Sequence, residues 1–331
     1  MSSGGSSVAV VVASGNKQVF GEWLQRAVPN LGNASLFLVP WGDDAADIQS
    51  LAARASPKRI EIIPSSQIPT LEGNWNEALR HLKSCPREFV AFLDDDAFPE
   101  KRWLGNMLEA AGADCGVGAF CSRVLTDGTP GNPQDMQSEG HYLLHGSPLN
   151  RGFKGGQLQP VPLCPCANSA FVRWSAIAEI ERLDPDVWDP CFHGWQTCFD
   201  FGLKLVLTRT LVKAVPAALV RHRGYLTWSE EIKAKKASQA VLGQLRSRFL
   251  LYEKFFPRSL AQKARDALSG KYPKWREQGY TDFEKWIKGD LVDKIAKQAC
   301  EEAASAIGEE RPWRDLMDRR QDAPALLGFS D

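Results

Sequence analysis

Short apolar runs alternate with amphipathic segments through the first two thirds of the chain. Ser7–Ala13 (SVAVVVA) has the unbroken β-branched character of a buried, central, parallel strand. It ends at Ser14-Gly15-Asn16, a turn that leaves backbone N–H groups free for a ligand. Phe20, Trp23, Leu24 and Ala27 share one face and predict a helix over Val19–Val28, closed by Pro29 and Gly32. Further strands are predicted over Ser35–Val39 and Arg59–Ile63, with a helix over Asp47–Ala55 between them. Pro69–Leu82 turns helical, with Asn74, Trp75 and Asn76 at its start and Ala78, Leu79 and Leu82 along one face. Phe89–Leu93 is again a buried strand, and a helix marked by Trp103, Leu104, Met107 and Leu108 is expected to start at Pro99. Gly116–Cys121 is a strand, Val161–Trp174 with Ile177–Leu183 reads as an irregular entry, a strand and a helix, and Leu211–Val220 is a final strand. Strand followed by helix, repeated, is the pattern of an α/β fold: a mostly parallel sheet with helices on both faces.

Two stretches depart from this alternation. Thr126–Pro162 is long, irregular and rich in Gly, Pro, Asn and Gln, as functional loops are. It contains His141 and His145, expected to be surface histidines. From Ser229 to about Glu310 nearly every residue is a helix former, and Pro257, Gly270, Pro273 and Gly279 divide the run. Trp228 and Ser229 with Ile232, and Thr281 with Asp282, read as helix entries. The expected organisation is a flexible leader over 1–6, an α/β domain over 7–228 and a helical region over 229–331, without internal repeats.

Composition narrows the class. With 40 basic and 40 acidic residues among 331, the formal net charge is zero, which argues against non-specific nucleic-acid binding. No apolar run approaches the ~20 residues of a membrane span, so no transmembrane segment is expected. The opening MSSGGSS lacks the basic region of a secretory signal. Eight scattered cysteines then read as reduced thiols of a cytoplasmic protein. Cys164, Cys166, Cys191 and Cys198, with His193 nearby, match no common zinc spacing, and Pro165 sits inside the first pair.

The chemistry concentrates where Phe89–Leu93 runs into Asp94, Asp95 and Asp96. Carboxylates at a strand end lie on the carboxyl rim of the sheet, where open α/β folds bind ligands. Adjacent carboxylates repel, so a fold that gathers them supplies a cation or hydrogen-bond donors, unless they form a solvated acidic turn. Hard oxygen ligands of this kind suit Mg²⁺ or Mn²⁺.

The ordered set VAVVVAS, EGNWNEAL, FLDDDAFPEKRWL, CANSAFVRWSAI and DPCFHGW…DFGLKL followed by VRH resembles the GT-A fold glycosyltransferases of family 2. That group includes bacterial rhamnosyl- and galactofuranosyltransferases, and the resemblance spans roughly residues 7 to 225. It implies transfer of a hexosyl or deoxyhexosyl group from a nucleotide-diphosphate sugar to a hydroxyl, with Mn²⁺ or Mg²⁺ as cofactor. The acceptor would be a glycan, a lipid-linked or a small molecule. Carried over by position, Asp96 coordinates the cation that bridges the donor diphosphate, with Asp94 and His222 as further metal ligands. Asp94 and Asp95 lie near the ribose and sugar, Ser14 and Asp43 or Asp44 near the base, and Asn76 joins the donor-binding set. Family members that invert configuration carry a Glu-Asp pair that here falls on Thr197-Cys198, neither of which is a carboxylate base. Asp200, Asp189 and His193 are the remaining candidates, Asp200 otherwise reading as a helix N-cap. Pro40-Trp41-Gly42-Asp43-Asp44 likewise replaces the family's Asp-Asn-Ala-Ser type of turn. Trp188, Phe192, Trp195 and Tyr225 either stack on sugar faces or pack inside. Two alternatives stand beside transfer by the usual base: a non-catalytic GT-A domain that binds a nucleotide sugar or glycan, and a retaining enzyme. The helices after 228 are expected to close over the acceptor, pair two copies into a homodimer, or simply pack.

Overall fold

In the computed structural model the described residues are 7–55, 60–127, 136–144, 146–150, 153–154, 157–158, 164–223, 229–269, 291–307 and 312–329. His145, Tyr225, Trp228, Gly270, Pro273, Gly279, Thr281 and Asp282 lie outside them.

The apolar run at the start forms β1 (Val8–Ser14), buried at every position. It sits between β2 (Ser35–Pro40) and β4 (Phe89–Asp94), both parallel to it, and β3 (Ile60–Ile62) continues the sheet beyond β2. α1 (Lys17–Arg26) starts two residues before its predicted position, because the Asn16 side chain caps it by accepting from the N–H groups of Gln18 and Val19. α2 (Ala45–Ala55) and α3 (Leu71–Leu82) complete the first half, with Thr70 capping α3 through the Gly73 N–H.

Beyond β4 the structure corrects one expectation. Pro99 does not open a helix; it closes a short strand, β5 (Ala97–Pro99), and α4 (Trp103–Ala113) begins only after Arg102, which is left-handed at φ 70°. β5 pairs antiparallel with the end of the last sheet strand, Ala97 opposite His222 and Phe98 opposite Arg221. β6 (Val117–Thr126) follows. The stretch read as irregular carries short strands among its described residues: β7 (Met136–Ser138), β8 (His141–Leu144), β9 (Ser147–Asn150), β10 (Phe153–Lys154) and β11 (Gln157–Leu158). β8 and β9 form an antiparallel hairpin, and His141 exchanges backbone bonds with Cys164 and lies 5.2 Å from the Phe199 ring, so it is no free surface histidine.

β12 (Ser169–Arg173) then inserts antiparallel between β4 and β6, and α5 (Trp174–Glu181), α6 (Thr197–Leu207) and β13 (Leu211–His222) follow. The sheet order is β3-β2-β1-β4-β12-β6-β13-β5, parallel in its first half and mixed in its second. Its two faces carry separate apolar layers. One layer holds Phe20, Trp23, Ile48 and Trp103 of α1, α2 and α4. The other joins Trp75, Ile177 and Phe201 to Leu245, Tyr252 and Phe255 of α7 (Glu230–Phe255), so this C-terminal helix shares the core of the sheet. Ser229 caps α7 through the Ile232 N–H, and Pro257 separates it from α8 (Arg258–Ser269). α9 (Leu291–Ala306), α10 (Pro312–Asp318) and α11 (Ala323–Leu326) complete the described helices. None of the described helices is long and apolar enough to cross a membrane. All eight cysteines are free thiols.

Candidate active site

The acidic triplet sits where four strands converge. β4 ends at Asp94, Asp95 and Asp96 form the turn, and β5 returns against β13 so that His222 faces the turn. His222 Nε2 stands 3.2 Å from Asp96 Oδ1 and 3.8 Å from Asp94 Oδ2. Ligand atoms of these three side chains all lie within 4.8 Å of one another. Asp95 turns the other way, accepting from Ser14 Oγ at 2.6 Å, so the fully buried Ser14 holds Asp95.

Electrostatics mark the cluster as short of positive charge. Burial, and then the neighbouring Asp96, push Asp94 up to about 7, while burial lifts Asp95 to about 6 despite its bond from Ser14. Asp94 Oδ1 is buried without a hydrogen-bond partner among the described residues. Burial lowers the pKa of His222, but its bond to Asp96 and the charges of Asp96 and Asp94 outweigh this and leave it raised.

Backbone and ion pairs fix this geometry from behind. Arg223 N–H donates to the Asp96 carbonyl at 3.1 Å, and Asp127 N–H donates to that of His222 at 3.0 Å. Arg26 grips Asp127 with both Nη atoms, at 2.9 and 2.7 Å, and Arg223 grips Glu22 in the same way, at 2.9 and 2.7 Å. Both guanidinium groups lie over the Phe98 ring of β5. Nothing in the sequence pattern singled out Glu22, Arg26 or Asp127, because they come from α1 and the end of β6, far apart in the chain.

The remaining expected site residues fall in different places. Asp43 is exposed in the turn after β2. Asp44 accepts from the Lys17 N–H at 3.1 Å and pairs with Lys17 Nζ at 3.4 Å, which commits it to the start of α1. Asn76 is buried and braces the chain before the aromatic loop, donating to the Trp188 carbonyl at 2.6 Å and accepting from its N–H at 3.0 Å. Its amide is thereby engaged by the protein's own backbone. Trp188 and Phe192 are also core residues, Trp188 packing on Trp75, Phe92 and Phe201, so neither presents a face to a sugar. Trp195 is half-buried and rests on α7, where a Cβ on Gly243 would come within 2.5 Å of its ring.

Asp200 and Asp189 do come together, around lysines. Lys254 Nζ of α7 reaches Asp189 and Asp200 at 2.6 Å each and Asp184 at 3.8 Å. Lys204 Nζ meets Asp184 at 3.0 Å and Asp200 at 3.1 Å. Burial raises Asp189, but Lys254 and Lys204 more than offset it and hold its carboxyl well below the usual range. Asp200 is fully buried in the first turn of α6, whose N-cap is Gln196. Both acids are thus committed to a buried ion cluster. His193 is exposed and left-handed at φ 50°, its pKa lowered by burial and then by Arg246. α7 holds the same loop twice more, Arg246 donating to the Cys191 carbonyl at 2.6 Å and Ser247 to that of Phe192 at 3.2 Å.

One further carboxylate belongs here. Glu72, in the first turn of α3, is fully buried and accepts from the Gly194 N–H at 2.6 Å and from the Thr197 hydroxyl, both through Oε1. Oε2 has no partner among the described residues. Burial raises its pKa more than the Thr197 and Gly194 bonds lower it, and its charge in turn raises Asp94. An acid within the otherwise neutral start of EGNWN was its one signal in the sequence.

Residues 43–178 match the family described as Glycosyl transferase family 2. That match covers less than half of the chain; the fold itself, a mixed sheet flanked by helices, is GT-A-like. Among solved structures, GalNAc-T7 with UDP, GalNAc and Mn²⁺ is similar over 96% of this chain at 10% identity and a TM-score of 0.54. This chain spans only 57% of the length of that one. Mannosyltransferase PcManGT from Pyrobaculum calidifontis, in complex with GDP-Man and Mn²⁺, is similar over 98% of this chain and 83% of its own, at 14% identity and a TM-score of 0.49. S. aureus TarS 1–349 is similar over 93% of this chain and 89% of its own, at 13% identity and a TM-score of 0.48. No curated protein matches the sequence. In this GT-A fold the acidic turn lies at the carboxyl ends of the parallel strands β1, β2 and β4, the rim where open α/β sheets bind ligands.

Proposed function

We propose that this chain is a metal-dependent glycosyltransferase that moves a hexosyl or deoxyhexosyl group from a nucleoside-diphosphate donor to a hydroxyl acceptor. The observation that carries the reading is the convergence of Asp94, Asp96 and His222 from the ends of two non-adjacent strands. Two carboxylates and an imidazole suit Mn²⁺ better than Mg²⁺, which favours an all-oxygen shell. The partnerless Asp94 Oδ1 and the raised Asp94 and Asp95 are what a cation-binding cluster shows without its cation. A divalent cation held by Asp94, Asp96 and His222 would supply positive charge to a diphosphate leaving group.

The chain's own residues do the positioning. Ser14 fixes Asp95 beside the metal ligands, and the Arg26–Asp127 and Glu22–Arg223 pairs keep His222 and Asp96 in register. Asp43, exposed after β2, would contact the donor's nucleoside. α7 braces the Asp189–Trp195 loop from Gly243 to Lys254, so the C-terminal helices shape the acceptor side.

A thermal-shift series of UDP-, GDP- and dTDP-sugars, with and without Mn²⁺, tests the reading on the wild type and Asp96→Ala. Stabilisation by one nucleotide sugar that requires Mn²⁺ and disappears in Asp96→Ala is the expected result. A chain that responds to no donor with Mn²⁺ present, or an Asp96→Ala protein that responds like the wild type, refutes it.

A further inference from the structure

Transfer to a hydroxyl releases a proton, and something must accept it. Asp200 and Asp189 are held at 2.6 Å by Lys254, and an ion-paired carboxylate is a poor base. His193 is exposed on the loop, with its affinity for protons lowered by burial and by Arg246. Glu72 differs from all three. Its Oε1 is fixed by Gly194 and Thr197, its Oε2 is buried and uncommitted among the described residues, and its charge reaches Asp94. A native fold rarely leaves a buried carboxylate oxygen without a partner, so this one calls for a role.

We infer that Glu72 is the catalytic base of the transfer, taking the acceptor's proton on Oε2 while Gly194 and Thr197 hold Oε1. The inference rests on the transferase reading above and names the residue that performs its proton step. In that step the acceptor oxygen bonds to the anomeric carbon as the bond from that carbon to the diphosphate oxygen breaks. The bonding pair leaves with the nucleoside diphosphate, and the acceptor's proton ends on Glu72. A carboxylate enclosed away from water binds a proton more readily than one at the surface, which is what a base working near neutral pH requires. Thr197 acts as a positioning residue: its hydroxyl is spent on the carboxylate it orients.

The enclosure has a consequence. Neither oxygen of Glu72 meets solvent, so the hydroxyl arrives only when the 193–197 turn shifts. His193, Gly194 and Gln196 hold this turn at φ 50°, 80° and 59°, and left-handed backbone is unfavourable for the two non-glycine residues. The closed turn therefore depends on its contacts, the two to Glu72 among them.

The full-length protein tests this with Mn²⁺ and the donor that stabilises it, water serving as acceptor and nucleoside-diphosphate release as readout. Glu72→Gln keeps an oxygen for Gly194 and Thr197 and is expected to fold and to retain the donor-dependent thermal shift. Its turnover should fall at least about 100-fold, the size of a general-base contribution. Glu72→Ala should lose as much and regain about tenfold or more with formate or azide, a rescue that a merely structural carboxylate would not show. A Glu72→Gln protein within threefold of wild-type turnover overturns the assignment. So does a Glu72→Ala protein that small anions leave unchanged, or a Glu72→Gln protein that no longer binds donor. A wild type that releases no nucleoside diphosphate from any donor removes the transferase reading, and this inference with it.

Discussion

Replacing Lys254 by Met keeps the length of the side chain and removes one ammonium group from a buried cluster. Three carboxylates, Asp184, Asp189 and Asp200, share Lys254 and Lys204 in the native protein. In Lys254→Met only Lys204 remains, at 3.0 and 3.1 Å from Asp184 and Asp200, and Asp189 loses its 2.6 Å partner. At an effective dielectric of about 20, a charge pair at 4 Å attracts by about 4 kcal/mol, and much of that is offset by desolvation. What is measured is the cost of leaving a buried charge without compensation, about 3–5 kcal/mol. For a chain of this size that lowers the unfolding midpoint by on the order of 10 °C. The assay is chemical denaturation of Lys254→Met, Asp200→Asn and the double variant. The double variant should be less damaged than the sum of the singles by about 1–3 kcal/mol, because removing one charge relieves the other.

The deficit also has a pH signature. Asp189 is depressed in the fold, so its contribution is complete above the unfolded carboxylate value of about 4 and fades as pH falls further. The gap between wild type and Lys254→Met should therefore narrow below about pH 4. A Lys254→Met protein within 1 kcal/mol of wild type at pH 7, or strictly additive variants, would refute the view that this cluster ties α7 to the sheet.

Three further outcomes follow from the same contacts. Asp94 and Asp95 are raised to about 7 and about 6, so protons compete with a cation, and the stabilisation that Mn²⁺ adds should grow from pH 5.5 to 8; a flat increment in a thermal-shift series counts against the site. In the metal-free protein the same two groups bind more protons folded than unfolded, so their contribution to stability falls as pH rises from about 4 toward 7. Gly243→Ala places a methyl 2.5 Å from the Trp195 ring and should cost about 1–3 kcal/mol in a denaturant midpoint, with quenching or shift of tryptophan emission.

Patterning along the chain carried the strands of the first half. β1, β2 and β4 are continuous apolar runs buried on both faces, a local property that needs no partner to be read. The acidic triplet was legible for the same reason: three charges directly after such a run have only the sheet rim to occupy. Ser229 and Pro257 marked the ends of α7 because caps and breakers act within a few residues.

Pairing across the chain is what no local pattern holds. Ala-Phe-Pro after the triplet reads as a stop and a helix start, and becomes β5 only because β13 offers an edge to pair with. That pairing alone brings His222 to Asp96 across 126 residues of chain. Asp200 and Asp189 read as candidate bases, and only the fold shows that α7 brings Lys254 to both and that Asn76 bonds Trp188. Glu72 occupies a first-turn position, where an acid is ordinary at any helix start. Burial under the Gly194–Thr197 turn gives it a raised pKa and an uncommitted oxygen, and burial is decided by the packed fold, not by the residues beside it.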